Sequence, residues 1–296
     1  MTGAERGYLL LCSHLGDPER PVLTTAQFRN LTRRMQAVPA PNEDRDLNAA
    51  DLRALGYGAQ DTQRILALLS EEERLDRYLA RGKKAGFGLL TLHSARYPKA
   101  LETQLGADAP TLLWYLGDPE LLDNPKISLV GSRDLLPENA AFARQAGRSA
   151  AAQGFTLVSG NARGADKTAQ ESCLSAGGSV ISIVADALDR HNPRARVLYL
   201  SEDSFDLDFS SLRALSRNRL IHAMGSLTFV AQSSLKQGGT WDGSVKNLRF
   251  GWSPLFCFAD GRESTQLLNQ MGASVIRAEE LDDIAGLIPS QIRFCE

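Results

Sequence analysis

The sequence predicts an α/β fold, a parallel sheet with helices on both faces, preceded by a small helical domain. Three observations predict it. From Lys126 onward, short apolar runs alternate with helical stretches, the pattern of parallel strands joined by crossovers. Glycines and arginines gather where several of those runs end. Before about residue 85 the apolar spacing is helical instead. The expected division is a helical domain over 1–85 and a sheet domain over 86–296.

The first elements follow from local signals. The run Tyr8 to Cys12 is short and lacks a basic leader or cleavage site, so no signal peptide is expected. Thr25 to Phe28 opens an amphipathic helix carrying Phe28, Leu31 and Met35, which Pro39, Pro41 and Asn42 should break. Asn48 is placed to cap Ala49 to Leu55, and Gly56 and Gly58 to stop it. Asp61 should cap one long helix with Ile65, Leu66, Leu69, Leu75 and Leu79 on one side. The acids Glu71 to Glu73 read as its solvated face.

Gly88 to Leu92 and Thr111 to Leu116 read as strands. Buried strands are expected at Ile127–Val130, Thr156–Ser159, Val180–Val184, Leu227–Ala231, Leu255–Phe258 and Ser274–Ile276. Helices are expected at Glu138–Gln153, Ala165–Ala176, Leu212–Ala223 and Glu263–Met271. In the third of these, Leu212, Leu215, Leu220 and Ile221 are the expected buried side.

Composition narrows the function. A formal charge of −2 over 296 residues argues against a uniformly basic DNA coat but permits a local basic groove. No apolar stretch approaches the roughly 20 residues that span a bilayer, so a cytoplasmic location is expected. Cys12, Cys173, Cys257 and Cys295 are scattered, without the spacing of a zinc site or a disulfide framework. His14, His93, His191 and His222 share no ligand spacing. No metal, cofactor or catalytic residue is expected.

Ligands of parallel sheets bind at the carboxyl ends of the strands, and the unusual residues cluster there. The first parallel strand ends Gly131-Ser132-Arg133. The glycine permits close approach, the serine offers a hydroxyl, and the arginine a fork of donors for phosphate. The second ends Ser159-Gly160-Asn161-Ala162-Arg163-Gly164-Ala165-Asp166-Lys167, where a helix amino terminus adds amides that favour an anion. A bland alternative is a tight turn in which Asp166 caps its own helix. Arg217-Asn218-Arg219, with Arg213 one turn earlier, supplies a possible basic helix face, for which plain solvation is the competing reading. Gly238-Gly239-Thr240 is a further possible phosphate cradle. The first turn is not G-x-G-x-x-G, and no acid ends the second strand, which counts against a dinucleotide coenzyme.

Taken together, Gly131-Ser132-Arg133, Ser159-Gly160-x-Ala162-Arg163-Gly164-x-Asp166, Ser201-Glu202 and Arg217-Asn218-Arg219-x-Ile221 resemble the DNA-processing protein A (Smf) family in order and spacing. Tyr97-Pro98-x-x-Leu101 and Leu116-Gly117 match its earlier strands. The resemblance covers roughly residues 88 to 276. It implies an extended Rossmann-like fold, single-stranded DNA binding, a homodimer, and delivery of DNA to a RecA-type recombinase during transformation. It places DNA contacts at Arg133, Arg163 and Arg217 to Arg219, with Gly131, Ser159, Gly160 and Gly164 shaping the pocket. The sequence departs from the family at Ala169-Gln170, where Ala-His is usual, around Gly238-Gly239-Thr240, and at Asp260-Gly261, where Pro-Gly is usual. It ends at Glu296, so the winged helix of some members is not expected.

A second reading is a nucleotide-ligand sensor or a nucleoside-phosphate hydrolase of the related superfamily, since Gly238-Gly239-Thr240 resembles part of that family's glycine-rich motif. The motif's glutamate is absent, and Asp242 or Asp166 would have to serve. A pure protein-interaction module is a third, with no specific feature behind it. Trp114, Trp241 and Trp252 could stack bases, although core packing is the favoured role for each.

Overall fold

The computed structural model describes residues 2–38, 46–202 and 204–288. Pro39, Pro41 and Asn42, read as helix breakers, and Cys295 lie outside the described residues. The helical part contains α1 Gly3–Cys12, α2 Thr25–Gln36, α3 Ala49–Ala54, α4 Ala59–Leu69 and α5 Glu72–Lys84. The run Tyr8 to Cys12 is the end of α1, which Thr2 and Glu5 start with a reciprocal cap. Asn48 caps α3 as its position predicts, accepting from Ala50 and Asp51 N–H groups.

The single long helix expected after Asp61 is two helices. Gly58 holds the cap position, and Asp61 lies in the first turn of α4. The chain bends at Ser70 and Glu71 because the Glu71 carboxylate turns inward to the buried Arg20, whose Nε lies 3.1 Å from it. Arg20 also donates to Leu10 O at 2.6 Å. Glu72 pairs with Arg6, so of the three acids only Glu73 keeps the solvated role.

The sheet strands are β1 Gly88–Thr91, β2 Leu112–Leu116, β3 Lys126–Val130, β4 Thr156–Ser159, β5 Ser179–Val184, β6 Val197–Glu202, β7 Thr228–Val230, β8 Leu255–Phe258 and β9 Ser274–Ile276. Their spatial order is β1-β2-β6-β5-β4-β3-β7-β8-β9. The span from β6 to β9 is parallel, whereas β1 and β2 add an antiparallel edge. The sequence reading missed β6, because a loop with one short 3-10 turn at Leu188–Arg190, not a helix, links it to β5. The alternation of strand with helix fails at that one crossover.

Between the strands lie α6 Lys99–Leu105, α7 Pro137–Ala152, α8 Ala165–Ser175, α9 Ser211–Met224, α10 Gly238–Phe250 and α11 Glu263–Gln270. Alternate strand residues serve opposite faces. Ile127, Leu129 and Leu157 pack with Phe142, Ala146 and Ala169 of α7 and α8. Val130, Val158 and Ile183 pack with Leu220 and Ile221 of α9. The chain runs from β3 outward to β6, then returns to β7 on the other side of β3. That reversal opens a crevice at the carboxyl ends of β3 and β7.

A third apolar cluster joins the helices to the sheet. Leu9, Leu10, Leu75 and Tyr78 pack with Leu112, Trp114 and Phe205. Trp114 is 2% exposed, with edge-on contacts to Tyr78 at 5.6 Å and Phe205 at 4.7 Å. All three tryptophans are at least partly withdrawn from solvent, with Trp114 and Trp252 buried.

Two measurements test this packing. Trp114→Ala empties a site shared by both layers and should cost about 3–5 kcal/mol of unfolding free energy in a denaturant melt. A loss below about 1 kcal/mol would mean that the layers do not share this core. His222 on α9 is fully buried, and neither ring nitrogen has a hydrogen-bond partner among the described residues. Burial pushes its pKa down to about 3. An unfolded histidine titrates near 6.5, so between about 6.5 and 3 the unfolded state binds the extra proton and stability falls as pH falls. His222→Leu should therefore lose less stability than the wild type across that window. Parallel pH profiles for the two proteins would refute it.

Candidate nucleic-acid interface

The crevice between β3 and β7 widens into a cavity of about 430 Å³. Gly131 to Asp134 after β3, Gln237 to Thr240 at the start of α10, and the first half of α9 wall it. Ala162 and Asp166 add the turn after β4. The amino ends of α8, α9 and α10 therefore converge. Neither α8 nor α10 carries a side-chain cap; at α8 the Ala165 and Lys167 N–H groups are taken by the Ser132 and Ala162 carbonyls, so it is the amino end of α10, at Gly238 to Thr240, that can favour an anion.

Arg217 forms the floor. Its side chain reaches inward from α9 and is only 8% exposed as a residue. Nη1 donates to Ile183 O at 2.7 Å, while Nε has no partner among the described residues. The guanidinium lies against Gly160, where a Cβ would stand 1.6 Å from Nη1. Burial lowers the Arg217 pKa, and the neighbouring Asp166 carboxylate opposes that shift.

Asp166 is the counter-charge and also the brace of the turn. Its Oδ2 accepts from the Gly160 and Ala162 N–H groups, each at 3.1 Å. Burial raises its pKa, with Arg217 and the two amides pulling the other way. It ties the loop, rather than capping its own helix. Gly164 makes the second close approach: its φ is +88°, and a Cβ there would stand 2.4 Å from the Ser132 and Arg133 carbonyl oxygens. The Ser132 carbonyl in turn accepts from Ala165 N at 3.1 Å, fastening the β3 turn to the start of α8.

The structure thus brings Gly131, Ser132, Arg133, Asp166, Arg217, Asn218, Gly238, Gly239 and Thr240 to one cavity. Gly160 and Gly164 stand behind it as spacers. Arg133 is exposed at the rim and has no ion-pair partner among the described residues. Asn218 Nδ2 donates to Gly239 O at 3.0 Å, joining α9 to the glycine pair.

Other expected residues are placed elsewhere. Arg163 is exposed but ion-paired with Asp134 at 2.8 Å, outside the cavity lining. Lys167 is exposed one residue beyond Asp166 and does not line it. Ser159 is buried and accepts from Gln170 Nε2 at 2.6 Å, a use for the residue that departs from the family pattern. Asp260, another departure, accepts from Asn139 Nδ2 at 2.9 Å and Thr265 Oγ1 at 2.8 Å.

The expected basic face of α9 is not formed. Arg213 turns inward to the Ala185, Leu207 and Asp208 carbonyls. Arg219 pairs with Glu202 and donates to Asp108 O at 3.2 Å. The apolar face is reversed as well, since Leu212 and Leu215 are exposed while only Leu220 and Ile221 are buried. Phe209 lines the cavity and was missed, because it sits in a loop with no periodicity to mark it. Asp242 pairs with Lys246 at 2.8 Å and lies outside the lining, and Asp166 faces backbone amides.

The two glycines separate two kinds of constraint. Gly164→Ala meets backbone at a positive φ and should cost about 1–3 kcal/mol of stability. Gly160→Ala meets only the far end of Arg217, so it should be less destabilising while displacing that guanidinium. Chemical melts of both variants check the order, and a reversed order would contradict it.

The family model described as DNA recombination-mediator protein A matches residues 88–283, from β1 through the last 3-10 turn. DNA processing protein DprA of Streptococcus pneumoniae is 30% identical over 141 residues, covering 44% of this chain and 50% of that protein. DNA processing protein DprA of Bacillus subtilis is 26% identical over 194 residues, covering 60% and 65%. These matches therefore span about half to two thirds of the relatives' length. A solved structure of DprA from S. pneumoniae covers 96% of this chain and 98% of its own with TM-score 0.70 at 23% identity, a likeness of fold. A structure of DNA processing protein A from Helicobacter pylori, whose subject is its single-stranded DNA binding mode, covers 71% and 98% with TM-score 0.56 at 25% identity. Because the family model spans the whole sheet and every turn that walls the cavity, the chain belongs to the DNA recombination-mediator protein A family.

Proposed function

We propose that the chain binds single-stranded DNA in the β3–β7 cavity and, as a homodimer, delivers it to a RecA-type recombinase, without itself catalysing a reaction. One observation carries the binding reading. A buried guanidinium, its Nε without a partner among the described residues, forms the floor of a cavity at which helix amino ends meet, and a second arginine without an ion-pair partner among the described residues is exposed at the rim. That arrangement suits the phosphates of a flexible strand. The H. pylori relative, described by its single-stranded DNA binding, supports the same reading. The helical residues 1–85 act in this proposal as a supporting domain, and residues from 86 onward hold the strand.

The experiment is a gel-shift series with single-stranded DNA, duplex DNA and mononucleotide competitors. The single strand should bind best, and added salt should weaken it with a slope of roughly −0.7 per phosphate contacted. Arg133→Ala should lose one charge-assisted contact, about 1.5–3 kcal/mol or roughly ten- to a hundredfold in affinity, with the melting temperature unchanged. Arg163→Ala should lose less, because Asp134 already holds that side chain. Duplex binding equal to single-strand binding, or full affinity in Arg133→Ala, would count against the proposal.

A further inference from the structure

The amino half of α9 is built inside out. A surface helix normally buries its apolar stripe and shows its charges. Here Arg213 and Arg217 point inward to backbone carbonyls. Phe209, just before the helix, and Leu212 and Leu215 within it are 51%, 78% and 42% exposed. Three large apolar groups at a spacing of three residues form a ridge in water, a feature that marks a contact surface.

The same helix stands between two cavities. Ser211, Ala214 and Asn218 line the cavity described above. Leu212, Arg213 and Ser216 line a second, of about 350 Å³. Arg217 lines both. Glu202, which also lines the second cavity, and Asp206 and Asp208 before the helix are each paired with an arginine, as Asp134 of the first cavity is. Arg217 is thus shared by the cavities on either side of an apolar crest.

We propose that this ridge is the base-contacting part of the site. A single strand crosses α9 with its phosphates toward Arg133 and Arg217, and two consecutive bases are held apart over Phe209, Leu212 and Leu215, one nucleotide to each cavity. This rests on the nucleic-acid reading above. Its chemistry selects the occupant: a strand carries an anion and a flat apolar group in every repeat. A free phosphate would use the floor and leave the ridge wet. An apolar peptide would cover the ridge and leave the arginines unmatched. The ridge has no side-chain donor or acceptor to read a base edge, so contact through it tolerates any sequence.

The test measures affinity for an oligothymidylate and for an abasic strand of the same length, using the wild type and Phe209→Ala/Leu212→Ala. The wild type should prefer the strand that carries bases. The double variant should lose about five- to a hundredfold on the oligothymidylate and nothing on the abasic strand. A dithymidylate should compete better than a mononucleotide. Equal loss on both strands, or no loss on either, overturns the ridge while leaving the phosphate site standing. Failure of the wild type to bind either strand overturns both readings. Both side chains are exposed, so the fold should persist, as a thermal melt will report. Leu212→Ser, at the most exposed position, repeats the test if the double variant unfolds.

Discussion

The seat of Arg217 is the constraint on which the rest of the site depends. A guanidinium withdrawn from water is unfavourable unless its charge is opposed and its donors are met. The fold meets this with three different elements. Gly160 leaves the space that a side chain would fill, Ile183 gives a carbonyl from the end of β5, and Asp166 gives the opposite charge. Because Asp166 also holds the Gly160 and Ala162 amides, the charge that balances Arg217 shapes the turn against which Arg217 lies. Moving any one of them displaces the other two.

From that centre the turns are fastened outward. Gly164 brings the β4 turn within contact of the β3 turn, and the Ala165 N–H closes the gap to Ser132. Asn218 ties α9 to the glycine pair that opens α10. The Arg219–Glu202 pair anchors the outer side of α9 to β6. Cavity walls held this way need little reordering when a ligand arrives, so less of the binding energy is lost to it. At the rim, Arg133 keeps a positive charge without an ion-pair partner among the described residues.

The helical layer contributes through the sheet edge. Trp114 on β2 and Phe205 beyond β6 pack under α1 and α5, and Asp206 next to Phe205 is held by Tyr78 and Arg81. The segment that leads into Phe209 and α9 is therefore fixed at its start by the helices and at its end by Arg217. The position of α9 over the sheet depends on both layers.

The sequence by itself determined the α/β class, the positions of most strands and helices, and the glycine–arginine turns that wall the cavity. These are local properties: apolar runs between turns, residues able to cap, and glycines where a chain must pass close. Family likeness, carried by Gly131-Ser132-Arg133 and Arg217-Asn218-Arg219, was legible for the same reason. Only tertiary structure decided which charges remain free. Arg133, Arg163, Arg213, Arg217 and Arg219 look alike along the chain, yet one is unpaired at the rim, one binds Asp134, and three turn inward. Partners such as Ile183, Ala185 and Glu202 lie 34, 28 and 17 residues away, so no spacing rule reveals them. The inversion of α9 has the same origin. Its leucines are exposed because the space beneath the amino half is filled by arginines bound to carbonyls of other strands and loops, and helical periodicity alone cannot say which face the sheet will meet.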